Sequence, residues 1–210
     1  FDQGFEKERK LVIDINDESI RNNFESVKNE LAAHADVLNV SAVSSVPGDW
    51  KYVSPVEARK FHGDAPVTMN FMGFDGDALA TLGIKLKLGS GFTGNLATDS
   101  AGVLINEKAA LMLGGESIIG NTINVAYDGD EFTFRVQGIV QNFNFESLYE
   151  DIKPLVIGSW KNGIAQLDYI VIHTRNSPAD VVDHATEVHK RFAPNGAIEY
   201  NFLDDQWNRY

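Results

Sequence analysis

Residues 10–43 read KLVIDINDESIRNNFESVKNELAAHADVLNVSAV, and this run decides the fold. Lys10 to Ile15 is apolar and β-branched, the composition of a strand. Asp17 stands where a helix N-cap belongs. Beyond it, Ile20, Phe24, Val27 and Leu31 recur at spacings of four, three and four, the single apolar face of an amphipathic helix. Val37 to Val43 is a second strand, closed by the turn signal Val46-Pro47-Gly48. The unit is strand–helix–strand.

The far end of the chain repeats it. Tyr169 to His173 reads as a strand. Ser177 is an N-cap, Pro178 the first helical residue, and Asp180 completes a capping-box-like pattern. Val181, Ala185, Val188 and Phe192 then keep the same helical spacing, Pro194-Asn195-Gly196 ends the helix, and Ile198 to Leu203 is expected to close as a strand. Two matching units at opposite ends predict one α+β layer structure built from both ends, with helices on one face of the sheet.

The middle is more turn-rich. Val67 to Met72 reads as a strand, Asp77 to Gly83 as a short helix with a glycine stop, Val103 to Ile105 as a strand, and Glu107 to Leu113 as a helix ended by Gly114-Gly115. Asp128-Gly129 marks a two-residue hairpin that sets Val125 opposite Phe132 and Ile123 opposite Phe134, with the strand running on through Val136, Ile139 and Val140. The expected organisation is a first subdomain of residues 1–63 plus 151–210, with a mixed α/β subdomain of residues 64–150 inserted into it.

Composition narrows the function. The 210 residues carry 18 Lys and Arg against 30 Asp and Glu, a formal charge of −12. Such a surface repels phosphate backbones and anionic headgroups, which argues against a nucleic-acid partner. There is no cysteine, so disulfides and thiolate metal sites are excluded. No window approaches the roughly 20 apolar residues of a membrane helix. The chain opens at Phe1-Asp2-Gln3-Gly4 and stops at Asn208-Arg209-Tyr210, and reads as a piece of something longer.

Motifs for chemistry are few. Of His34, His62, His173, His184 and His189, the pair His184 and His189 is five apart and diverges on a helix, while Asp180 and His184 share a face as an exposed pair. Asp75-Gly76-Asp77 starts like a calcium loop, but Leu79 and Leu86 stand where later ligands belong, which leaves a helix cap. Gly89-Ser90-Gly91-Phe92 lacks the strand–Ser–helix setting of a nucleophile elbow, and no phosphate loop occurs. Asp204-Asp205 and Glu150-Asp151 are adjacent acids with nothing to make them converge. Phe143, Phe145 and Tyr149 beside Asn142 and Asn144, and Trp50-Lys51-Tyr52 after a turn, are either a binding patch or ordinary core and turn residues. No catalytic, cofactor-binding or metal-ligating residue is assigned.

Several segments together resemble the MacB-like periplasmic core domain of ABC-transporter permeases of the MacB/FtsX kind. They are Leu82-Gly83-Ile84-Lys85-Leu86 with Gly89-Ser90-Gly91-Phe92, then Leu104-Ile105-Asn106-Glu107-Lys108-Ala109-Ala110 closing on Leu113-Gly114, then Ile119-Gly120-Asn121-Thr122-Ile123. The longest runs from Val136 to Leu148 and continues in Ile152-Lys153-Pro154-Leu155-Val156-Ile157. The chain departs from the family pattern at Asn142 and Ser90, where Asp and Arg are usual. The resemblance implies a porter-like subdomain with an inserted second one and a domain on the periplasmic side of the inner membrane. It also implies a cytoplasmic ATPase acting through the full-length permease, a permease dimer partner, and a periplasmic adaptor, lipoprotein or peptide as the object of the movement. It implies no catalytic residue and no cofactor. The alternatives are a stand-alone periplasmic binding module and a hydrolase using two carboxylates.

Overall fold

The computed structural model describes residues 3–48, 53–60, 64–146 and 151–207. The eleven strands among the described residues hydrogen-bond into one sheet whose two halves differ in kind. The open half comprises β1 (Lys10–Asp14), β2 (Val37–Val43), β10 (Tyr169–Thr174) and β11 (Tyr200–Phe202), in the spatial order β11-β1-β10-β2, all antiparallel. On one face lie α1 (Glu18–Asn22), α2 (Phe24–Ala32) and α6 (Val182–Phe192). Their apolar stripes pack on Leu11, Ile13, Val40, Ala42, Ile170 and Ile172.

The second half closes on itself. β3 (Ser54–Arg59), β4 (Val67–Phe74), β6 (Gly102–Asn106), β7 (Thr122–Tyr127), β8 (Asp130–Val140) and β9 (Leu155–Ser159) pair in the cycle β4-β3-β7-β8-β6-β9 and back to β4. Closure removes exposed edges. It also divides the side chains by the strand period of two: Phe71, Val103, Ile105, Phe134, Val136 and Val156 point into the ring. Met72, Phe74, Leu104, Val140, Leu155 and Ile157 point out of it. β5 (Leu86–Gly89) pairs with the far end of β8. The helices α4 (Leu96–Asp99) and α5 (Glu107–Met112) flank β6, with Asn106 capping α5 through its Oδ1, which accepts from the Ala109 N–H at 2.9 Å.

The halves are joined by one backbone pairing, Val43 with Phe74, and by a shared apolar cluster. In that cluster the ring's outward residues meet Val12, Val43, Tyr169 and Val171 of the open half. Two short helices, α3 (Ala78–Leu82) and α7 (Leu203–Trp207), contribute Ala78, Leu82, Leu203 and Trp207 to it.

Four expectations change. The stripe Ile20, Phe24, Val27, Leu31 is buried as read, but the helix breaks at Asn23 (φ −110°, ψ 23°), whose side-chain amide donates to Ser19 O at 2.8 Å. The closing strand stops at Phe202 because Leu203 opens α7 and turns into the central cluster. Helices cover both faces of the open half, since α3 packs against β2 and β10 opposite α2 and α6. Finally, residues 54–59 and 155–159 were expected in the terminal subdomain; their ladders run to β4, β7 and β6, inside the ring. A cut at 64 and 151 would therefore open the cycle.

Candidate functional site

The residues singled out from sequence separate in space. His184 lies on α6 with Nε2 2.9 Å from Glu30 O, and its ring centroid is 5.1 Å from that of His34. His189 is buried on the same helix, and burial holds its imidazole below the usual range against a weaker pull from Asp17. Asp180 sits exposed in the 3-10 turn before α6. Among the described residues no three His, Asp or Glu side chains gather into a metal-binding group. Asp75 and Asp77 both hold Lys28 of α2, the former at 2.7 Å. Asp75 also accepts from the Asp77 N–H at 3.1 Å, and Asp77 stands at the N-cap position of α3 without a side-chain cap bond, so the expected helix cap is not made by either carboxylate. Asp75 is only 4% exposed, and burial pushes its carboxyl up despite Lys28. Lys28 reaches solvent more; burial works against its charge too, but the two carboxylates outweigh that and raise it.

Asp204 and Asp205 follow one another on α7, where the Asp205 N–H donates to Asp204 Oδ1 at 3.0 Å. Phe143 and Phe145 are core residues in edge contact at 5.8 Å. Asp151 is exposed, while Trp50, Lys51, Tyr52, His62, Tyr149 and Glu150 lie outside the described residues.

What the structure does bring together is the two ends of the described chain. Phe5 and Trp207 meet with ring centroids 5.3 Å apart, in the central cluster beside Phe143 and Leu203. The segment before β1 is strapped down by backbone bonds: Glu6 N–H to Leu82 O at 2.7 Å and Asn144 N–H to Gln3 O at 2.9 Å. Just beyond the strap, Lys10 is 0% exposed. Its ammonium donates to Glu8 O at 3.1 Å and lies 3.8 Å from a Glu6 carboxylate whose side chain is 60% exposed. Burial, only partly offset by Glu6, lowers Lys10 to about 8. His173 stands opposite Lys10 in the β1–β10 register, both ring nitrogens are without a partner, and burial, then Lys10 and Arg9, hold it below the usual range. The sequence signal for Lys10 was its place two residues before Val12 at the head of an apolar strand, which gives both side chains the same face.

The match to a family model settles the class: residues 2–188 fit the MacB-like periplasmic core domain. The chain belongs to that family. The MacB-like fold also appears in solved structures. The periplasmic region of MacB from Actinobacillus actinomycetemcomitans superposes with a TM-score of 0.65 at 16% identity, covering 96% of this chain and 92% of that one. The extracellular domain of the noncanonic ABC-type transporter YknZ from Gram-positive bacteria gives 0.59 at 18% identity, covering 91% and 98%. A domain of a putative permease from Porphyromonas gingivalis gives 0.59 at 16% identity, covering 94% and 93%. No curated protein sequence matches the chain. As a MacB-like periplasmic core domain, it shares with these three structures a fold rather than any demonstrated partner or substrate.

Proposed function

We propose that this MacB-like domain is a non-catalytic moving part of a membrane-embedded ABC-transporter permease, driven by a cytoplasmic ATPase and acting on a periplasmic partner. The observation that carries the reading is the meeting of Phe5 and Trp207. A domain set between two membrane segments receives their motion where its ends enter the fold. Here both ends enter at one place, within the cluster that joins the open half to the ring. Displacement of either end would press on α3 and on the outward face of the ring together. The acidic surface suits a part that stays clear of anionic headgroups.

The test uses the full-length protein with its ATPase in lipid. These 210 residues contain no cysteine, so, with any cysteine elsewhere in the full-length protein replaced, spin labels can be placed at exposed Leu111 and Tyr200 by single substitutions to Cys. The distance between these labels and their copies in a dimer should change between ATP-bound and nucleotide-free states. An identical distance distribution in both states at both positions would remove the proposed coupling. Apolar runs of about 20 residues flanking the domain in the gene are the accompanying expectation.

A further inference from the structure

β8 changes neighbours along one edge. As far as Arg135 it pairs with β7, and from Gly138 onward it pairs with β5. Between these ladders the backbone is held by loops: Gly120 N–H donates to Val136 O at 2.8 Å, and Ser90 N–H to Gln137 O at 2.9 Å. The exchange leaves a cavity of about 470 Å³ on the outside of the ring, walled by Gly89, Gly102 and Gly120 with Ser90, Thr98 and Arg135. Gly120 leaves open space where a side chain would stand, whereas Gly89 and Gly102 let the backbone and the side-chain amide of Gln137 pack directly against them.

The polar groups at this cavity are unspent. Arg21, Arg59 and Arg191 each hold a carboxylate. Arg135 has no ion pair or side-chain hydrogen bond among the described residues, in a chain where 30 acids face 18 bases. The hydroxyls of Ser90 and Thr98 likewise have no partner among the described residues. Gln137 is fixed by its Nε2–H, which donates to Gly91 O at 2.9 Å, so its Oε1 remains available as an acceptor. A second cavity of about 400 Å³ beside Trp160 also contains an arginine, but that one, Arg21, is consumed by Leu167 O, Ile15 O and Asp168.

We infer that the cleft where β8 exchanges β7 for β5 is a binding site for a peptide carboxylate end. The guanidinium fork matches a planar carboxylate. Ser90 and Thr98 can donate to the same oxygens, and the last peptide N–H can donate to Gln137 Oε1. Ile119 offers an apolar wall for a small side chain. A single cation within a field of −12 favours a monoanion over a phosphate dianion. The site stands apart from how the domain is driven, so binding can fail or succeed independently of the proposed coupling.

The test is an amide-resolved NMR titration of the isolated chain with N-acetyl-Ala-Ala as free acid, with its C-terminal carboxamide, and with inorganic phosphate. The free acid should shift the Gly89, Gly102 and Gly120 amides saturably, and the carboxamide should not. Arg135→Gln should weaken binding about tenfold or more, and Arg135→Lys, which keeps charge but loses the fork, at least about threefold. The urea midpoint of both variants should stay unchanged, because Arg135 makes no internal side-chain bond. No saturable shift up to about 10 mM, equal binding of acid and carboxamide, or tighter binding of phosphate would each overturn the assignment.

Discussion

The ring and the open half solve the same packing problem in opposite ways. The ring pairs every strand on both sides and fills its interior chiefly with apolar side chains. The open half keeps strand edges, packs two faces against different partners, and admits ionisable groups: Lys10 and His189 are buried in it, and Asp75 lies at its junction with the ring. Each of those three has its proton affinity moved by burial. Asp99, a buried carboxylate beside the ring, is instead met by the Thr93 and Gly94 N–H groups and the Thr93 hydroxyl. Closure surrounds the ring's core with paired strands; the open half holds buried charges at a cost and can be shifted by anything that relieves it. The chain ends enter through the adjustable half.

The largest effect expected from this contrast lies in the ring. Phe71 is fully buried, 6.2 Å from Phe134, with its ring edge against Gly158. Phe71→Ala should cost about 3–5 kcal/mol in urea unfolding. Phe5→Ala removes the same side chain from the end junction and should cost less, about 1–3 kcal/mol, with loss of hydrogen-exchange protection concentrated at the Glu6 N–H and α3. Equal global losses would mean that the junction is as integral as the ring.

Next comes Lys10. Its folded value is about 8 against 10.5 in the unfolded chain. Between those values the unfolded chain holds more protons, so stability climbs with pH; below about 8 both states are protonated and the full cost remains. The climb amounts to about 3 kcal/mol. Lys10→Met should abolish it, and should raise stability at neutral pH by about 1–3 kcal/mol by removing a poorly compensated buried charge. His173 and His189, both held low, should make stability fall as pH drops below about 6.5. A Lys10→Met curve parallel to the parent between pH 8 and 10.5 would show that the ammonium escapes to water.

The sequence carried local periodicity well and long-range pairing poorly. Asp128-Gly129 adopts φ of 50° and 88°, and the hairpin has the register read from it, Val125 opposite Phe132 and Ile123 opposite Phe134. A turn of two residues leaves no freedom in alignment. The strand–helix–strand units were equally visible, because each states its own apolar face. Ring closure was not visible. β3 is six residues containing Ser, Pro, Glu and Arg, and only Val56 and Ala58 turn inward, so nothing in it names β4 and β7 as partners. The same holds for candidate sites. Asp75 and Asp77 stand together in sequence, but their ligand, Lys28, comes from another helix 47 positions away from Asp75. Unpaired Arg135 gained meaning only when β5 and β7 were seen to part beside it.

Asn106 tests whether the ring depends on single polar joints. Its Oδ1 accepts from Ala109 and Leu155 N–H groups at 2.9 and 3.0 Å, and its Nδ2 donates to Lys153 O at 2.8 Å, tying β6, α5 and the entry to β9. Asn106→Ala leaves buried donors unmet and should cost about 2 kcal/mol, measured as a shift in urea midpoint at constant slope. A fall in slope as well would indicate that the cycle opens at β6–β9 and no longer unfolds as one unit.

The smallest effect should come from charge on the ring's outside. Arg59 of β3 reaches across β7 to Glu131 of β8, with both side chains partly exposed. The pair spans three strands and so has the geometry of a clasp. The backbone ladders on either side of β7 already hold those strands in register, however, and the interior behind them is complete. Exposed ion pairs contribute about 0–1 kcal/mol and fade with salt. Arg59→Gln should therefore lower stability by less than about 1 kcal/mol, and the difference should vanish at high ionic strength. A larger, salt-resistant loss would mean that closure rests on this clasp. The ring would then share with the open half the dependence on charge that separates them here.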